Sequence, residues 1–161
     1  MGLLTTLTRR SGAEVIPDYD PGQERRAERR AHELMRSVVG PEMHAMYEQL
    51  GFLSVIRPTH GDGEGGYGYL IYPHRPIVAF DTATGELLSE YCVRFPDRSE
   101  PEGRRRLPDA DDVLAKWMAL HGDEHGLIAD ANMHVVGRQV DPRHVRRDLR
   151  RLGEWEAQRA A

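Results

Sequence analysis

Cysteine is almost absent from this chain of 161 residues, which contains Cys92 alone. A single cysteine cannot form an intramolecular disulfide, so a disulfide-held fold is excluded and a reducing compartment is favoured. Long apolar runs are absent too. No stretch approaches the roughly 18 residues of a membrane-spanning helix, and the first residues lack the apolar core of a signal peptide. We therefore expect a cytoplasmic protein with no membrane partner.

Lysine is equally scarce, since Lys116 is the only lysine in a chain with 22 basic and 26 acidic residues. The resulting net charge of −4 argues against a general nucleic-acid coat, although a local basic patch is compatible with it. A chain of this length buries roughly 70% of its surface on folding. The composition therefore predicts one globular domain whose core needs no metal or disulfide.

The first third of the chain is predicted to be helical after a short arm. Residues 1–19 lack a sustained period, and we expect an N-terminal arm that is ordered only if it docks on something. Apolar residues then recur at helical spacing over about 20–39 and again over 41–50. Gly40 separates these two stretches, which predicts two helices with a break between them.

The middle of the chain changes to short runs of aromatic and β-branched residues between glycines and prolines, which is typical of strands. Gly85 lies where a hairpin turn between two of these runs needs a positive φ. In the fourth run Glu90 and Arg94 alternate with apolar residues, so we expect these two charged side chains to face water. Four strands are predicted, over about 52–57, 67–72, 76–81 and 87–95.

The last third returns to helical patterns. Residues 96–107 are polar and without period, which predicts a mobile loop. Asp109 is expected to cap a helix that ends at Gly122, and Asp141 to cap the last one. Helices, strands and helices in this order predict an α+β fold, with residues 20–161 forming a single domain.

One segment matches a metalloprotease pattern. His121, Glu124 and His125 spell HxxEH, in which two histidines one helical turn apart bind zinc and the glutamate activates water. Gly122 and Asp123 inside the motif indicate instead the end of one helix and the start of the next. A helix junction therefore competes with a zinc site at His121 and His125.

A second segment is aromatic. The sequence GYGYLIY at residues 66–72 resembles the aromatic strand of RNA-recognition and cold-shock domains, and alternation places Tyr67 and Tyr69 on one face, as base stacking requires. Gly65 stands where that family has a basic residue, and the strands around this segment replace the helix that the family expects after it. A tyrosine-rich face packed on helices is the alternative.

The last helix has a basic side opposite its apolar stripe. Such a side can bind a nucleic-acid backbone or an acidic protein, but an arginine face in contact with water is the commoner meaning. Asp148 dilutes its charge. The residues concerned are Arg143, Arg147, Arg150 and Arg151.

The remaining histidines show no spacing typical of metal ligands, and no serine, histidine and acid grouping is recognisable. We therefore expect no cofactor and no catalytic residues. These histidines are His32, His44, His60, His74, His134 and His144.

Three segments carry a resemblance to a known group of proteins: ATGELLSEYCV at 83–93, LPDADDVLAKWMAL at 107–120 and GDEHGLIADAN at 122–132. Over residues 41–133 the chain resembles a family of small uncharacterised proteins of high-GC bacteria and their phages. The resemblance implies a common α+β unit. It implies no activity, cofactor or catalytic residue.

Together these observations predict N-terminal helices, a four-stranded, mostly antiparallel sheet and C-terminal helices. The first hypothesis for function is a non-catalytic protein-interaction or assembly module that uses a protein partner or self-association through a sheet edge. The alternative is a nucleic-acid-binding protein that uses Tyr67, Tyr69 and the arginines of the last helix. The second alternative is a zinc hydrolase at the HxxEH segment.

Overall fold

The computed structural model describes residues 20–58, 65–95 and 106–161 and has an α+β architecture. The predicted arm at 1–19 and most of the predicted loop at 96–107 lie outside these residues. In chain order the elements are α1 (Gln23–Leu50), β1 (Leu53–Pro58), β2 (Gly66–Ile71), β3 (Ile77–Asp81), β4 (Leu87–Cys92), α2 (Asp109–Asp130), β5 (Asn132–His134) and α3 (Pro142–Ala160).

The strands form one sheet in the order β1-β2-β3-β4-β5, and all four pairings are antiparallel. The α+β class and the antiparallel sheet are confirmed, whereas the predicted number of four strands is wrong. The missed strand is β5, which adds to β4 with Met133 opposite Tyr91. Because β5 has three residues, it is too short to show the alternation by which a strand is recognised.

Helix α1 is broken where the sequence predicts it. Gly40 has a φ of +86° and a ψ of 167°, which is outside the helical region, and Pro41 follows it. A positive φ is readily adopted by glycine because it has no Cβ. The chain therefore changes direction at Gly40, and the helical segments before and after it pack against each other.

The first turn of helix α2 is capped by a side chain of α1. The Glu28 carboxylate accepts hydrogen bonds from the backbone N–H groups of Asp109 at 2.8 Å and Ala110 at 3.0 Å. The first amides of a helix have no partner within it, so a carboxylate placed there stabilises the helix start. The expected cap by Asp109 is thus replaced by a tertiary contact from Glu28.

The sheet is enclosed on both faces at β3, where Ile77, Val78, Ala79 and Phe80 are all buried. Glu90, expected to face water, is buried as well, beside Val78 in the register. Its carboxylate accepts three backbone N–H groups of the segment after β5, which covers this face. The donors are Gly137, Gln139 and Val140.

Helix α3 packs against the end of α1. The Trp155 indole N–H donates to the Gln49 side chain at 3.1 Å, and an Arg151 guanidinium N–H donates to the Gln49 carbonyl at 3.3 Å. At the start of α3 the Asp141 carboxylate accepts from the Arg143 N–H at 2.9 Å, which confirms Asp141 as the helix cap.

Candidate functional site

Two histidines meet across the break in α1. Nδ1 of His32 lies 3.2 Å from Nε2 of His44, although twelve residues separate them. In an unbroken helix twelve residues span about 18 Å, so the change of direction at Gly40 produces this contact. The His44 side chain is buried, and the His32 ring packs against the Tyr47 ring with centroids 5.4 Å apart. We call His32 and His44 the histidine pair.

Each ring of the histidine pair has a carboxylate on its outer side. Nε2 of His32 lies 3.4 Å from Oε1 of Glu28, and Nδ1 of His44 lies 3.5 Å from Oε2 of Glu48. Glu28 is held by the amides that it caps on α2, whereas the Glu48 side chain is 56% exposed. Four side chains therefore form a row in which the two imidazoles are flanked by negative charge.

A second group of ionisable side chains lies where α2 covers the sheet. Oε1 of Glu124 accepts hydrogen bonds from the Tyr67 hydroxyl at 2.7 Å and the Tyr69 hydroxyl at 2.9 Å. Oε2 of the same carboxylate accepts from Arg57 Nε at 2.9 Å, and the Arg57 guanidinium also donates to the Leu120 carbonyl. We call these residues, Arg57, Tyr67, Tyr69 and Glu124, the Glu124 cluster.

The electrostatics of the Glu124 cluster follow from these contacts. Burial opposes the charged form of Glu124, but the hydroxyls of Tyr67 and Tyr69 and the Arg57 guanidinium together hold the pKa of its carboxyl below the ordinary value. Burial first, and then the bond to Glu124, raises the pKa of Tyr69. The bond to Glu124 is the largest cause that raises the pKa of Tyr67. At neutral pH the cluster therefore consists of a carboxylate, a guanidinium and two neutral phenols.

Residues of the HxxEH segment contact different parts of the structure and do not converge on one site. Glu124 belongs to the Glu124 cluster, while His121 stacks on Trp117 with ring centroids 3.9 Å apart and its Nδ1 lies 2.7 Å from the Trp117 carbonyl. Asp123 has a φ of −153° and a ψ of 80°, so α2 is broken inside the motif as the helix-junction interpretation expects. Within the described residues, the group with the separations of a metal site is His32, His44 and Glu48, and neither His121 nor His125 belongs to it.

The residues of the nucleic-acid hypothesis lie in two different settings. Tyr69 is only 5% exposed, so its ring is closed to a base, whereas Tyr67 is half-buried and its ring contacts the Tyr69 ring edge to face. On α3, Arg147 and Arg151 both bind the buried carboxylate of Asp148, and Arg143 contacts Asp141. Arg150 is exposed. The tyrosines are therefore engaged with α2, and three of the four arginines contact carboxylates.

The single lysine is enclosed beside the turn between β2 and β3. The Lys116 ammonium donates to Asp112 Oδ2 at 2.6 Å and to the carbonyls of Tyr72 and Arg75, both at 2.9 Å. An ammonium has three N–H groups, so all its donors are used. Burial lowers the pKa of Lys116, while Asp112 acts in the opposite direction. This arrangement ties α2 to the turn and leaves no lone pair for chemistry.

Exposed apolar side chains lie in β5, at Met133, and directly after it, at Val135. Met133 is 69% exposed and Val135 is 80% exposed. The seven residues at 131–137, ANMHVVG, contain no Asp, Glu, Lys or Arg, in a chain of which 30% is charged. In the part of the chain that the structure describes, β5 has one strand neighbour, β4. Its other side is a sheet edge without the charges that usually protect such edges.

The histidine pair was missed because its members have no metal-ligand spacing along the chain. The one signal present in the sequence is the break at Gly40 and Pro41, which lies between the two histidines, eight residues after His32 and three residues before His44. A break predicts that two helices meet, but it does not say which faces meet.

Comparison with protein-family models, with curated proteins and with solved structures gives no match. The resemblance over residues 41–133 therefore stays a prediction. None of the helices within the described residues has the length and apolar character required to cross a bilayer.

Proposed function

We propose that the chain is a non-catalytic protein-interaction module of the cytoplasm, in which the β5 edge pairs with β5 of a second copy. The observation that carries this proposal is the uncharged segment 131–137 with Met133 and Val135 exposed beside an unpaired strand edge. Two such edges placed antiparallel would join the sheets and cover these side chains. The half-buried thiol of Cys92 and the lack of a disulfide agree with a reducing compartment.

The contacts of three charged side chains, two buried and one half-buried, support the non-catalytic part of the proposal. Glu124 accepts from three side chains, Lys116 uses all its donors, and Glu90 accepts three backbone amides. A catalytic acid or base needs a proton-accepting or proton-donating atom that reaches the substrate. These three groups instead hold elements of the fold together.

The test is the mass of the full chain in sedimentation velocity over a wide range of protein concentrations. The wild type is expected to shift from monomer to dimer as concentration rises, and M133K and V135K are expected to stay monomeric because each brings two like charges together at the edge. M118K is the matched control, since Met118 is an exposed methionine on α2. A wild type that is monomeric throughout, or an M133K variant that dimerises like wild type, would overturn the proposal.

The nucleic-acid hypothesis makes a separate prediction that the same preparation can test. Binding to phosphates releases counterions, so it must weaken steeply as salt rises. We expect single-stranded oligonucleotides to show no salt-sensitive binding in fluorescence anisotropy, because the Tyr67 and Tyr69 hydroxyls are bound to Glu124 and Tyr69 is buried. Salt-sensitive binding that R150A weakens would favour that hypothesis over the interaction module.

A further inference from the structure

We propose that the histidine pair binds a divalent transition-metal ion, with Zn²⁺ as the first ion to test, through Nδ1 of His32 and Nε2 of His44. The inference starts from the distance between these two nitrogens, which is 3.2 Å. Two imidazole nitrogens on one tetrahedral zinc ion, each 2.0–2.1 Å from the metal, are about 3.3 Å apart. The structure thus holds the two nitrogens at the separation that a shared ion requires.

The orientation of the two rings points to the same place. Each imidazole has its outer nitrogen beside a carboxylate: Nε2 of His32 faces Glu28, and Nδ1 of His44 faces Glu48. In the tautomer whose N–H lies on the carboxylate side, the other ring nitrogen carries a lone pair. With both rings in that tautomer, Nδ1 of His32 and Nε2 of His44 are two facing acceptors that one cation can join.

The outer carboxylates match the surroundings of metal-bound histidines in proteins. Such a histidine commonly donates its second N–H to a carboxylate, which fixes the ring orientation and raises the basicity of the ligand nitrogen. Glu28 has this position beside His32, and its place is set by the two α2 amides that it caps. The two carboxylates also supply two negative charges, which balance the charge of a divalent ion.

Glu48 is the side chain able to complete the coordination together with water. A carboxylate oxygen of Glu48 and one ligand nitrogen of each histidine all lie within 4.8 Å of one another. Unlike Glu28, Glu48 is mostly exposed, so its carboxylate can turn from Nδ1 of His44 towards the ion, and water can then accept the hydrogen bond of that nitrogen. Two imidazoles with one carboxylate suit Zn²⁺ and its neighbours in the first transition series better than Ca²⁺ or Mg²⁺, which prefer oxygen ligands.

The experiment is calorimetric titration of ZnCl₂ into the full chain after treatment with EDTA and desalting. We expect one ion per chain for the wild type, and an affinity lower by about tenfold or more for H32A and for H44A. E48Q is expected to lose less than either. Thermal melts with and without zinc accompany each titration, and the zinc-induced rise in Tm of the wild type should be absent from H32A. Because the His32 ring is only half-buried, H32A keeps the test valid if H44A fails to fold.

The matched controls are H121A and H125A, which remove histidines of the HxxEH segment. We expect both to bind zinc like the wild type. X-ray absorption at the zinc edge should then show two imidazole nitrogens in the wild-type complex. A wild type that does not bind zinc would overturn the proposal. Wild-type affinity in H32A, or loss of binding in H125A, would overturn it too, and wild-type affinity in E48Q would overturn the part given to Glu48.

Discussion

The histidine pair and the Glu124 cluster both lie beside a break in a helix, but they differ in which groups face each other. In the Glu124 cluster two hydroxyls and a guanidinium donate to the two oxygens of one carboxylate. In the row that contains the histidine pair, two ring nitrogens face each other at 3.2 Å, and the outer nitrogen of each ring faces a carboxylate. A carboxylate surrounded by donors serves the fold, whereas two facing imidazole nitrogens have the separation that a shared cation requires.

The largest change in stability is expected when the Glu124 carboxylate is removed. E124A leaves two hydroxyls and a guanidinium without their acceptor under α2, and we expect the free energy of unfolding to fall by about 3 kcal/mol. Urea denaturation measures the change. E154A is the control, because Glu154 is exposed on α3 and should change stability by less than about 0.5 kcal/mol. Equal losses in the two variants would contradict a structural role for the Glu124 cluster.

A substitution at the break in α1 tests the other side of the comparison. Gly40 has a φ of +86° and a ψ of 167°, a region nearly confined to glycine, and an added Cβ would meet no atom within 4 Å, so G40A should lose about 2 kcal/mol through backbone strain alone. G153A is the control: Gly153 lies inside α3 with similar space and no positive φ, and alanine there should be neutral or stabilising. Urea denaturation of both variants checks this expectation.

G40A should also weaken zinc binding several-fold, because the change of direction at Gly40 brings His32 and His44 together. G153A should leave the zinc affinity unchanged. If G40A lost stability but kept the affinity of the wild type, the histidine pair would not depend on the break as the geometry indicates.

The smallest expected effect is the pH dependence that Glu124 adds to stability. Its contacts hold the pKa of the folded-state carboxyl below the ordinary value of 4.5, so the stabilisation is complete above that pH. It is lost as the pH falls further and the folded carboxyl takes up a proton. Urea denaturation between about pH 6 and about pH 3 should show this loss in the wild type, and a shallower slope in E124Q. Identical slopes would show that other carboxyls dominate acid unfolding.

Local patterns were enough to predict most of the fold. The break at Gly40, the hairpin at Gly85 and the start of α3 at Asp141 each depend on residues that are adjacent in the chain, and each is present. Glu90 shows where such patterns fail. Alternation within β4 places it opposite the apolar residues, but the amides of 137–140 come from a distant segment and bury it.

The candidate sites show the same limit more strongly. The spacing along the chain predicts a site at His121 and His125, which are one helical turn apart. The histidine pair, in contrast, is formed by two helical segments that meet at the break in α1. Glu124 belongs to the HxxEH pattern, but its partners lie on β1 and β2, more than fifty residues away in the sequence. These partners are Arg57, Tyr67 and Tyr69. Contacts of this kind depend on packing and leave no period in the sequence.

The enclosure of Lys116 has a consequence for handling the protein. This lysine is the only one in the chain and is 1% exposed, with each N–H of its ammonium bound to oxygen. Amine-directed reagents, and enzymes that attach groups to lysine, therefore meet no reactive lysine side chain on the native molecule. Because Lys116 becomes accessible only when the chain unfolds, the extent of its modification measures the fraction of unfolded molecules.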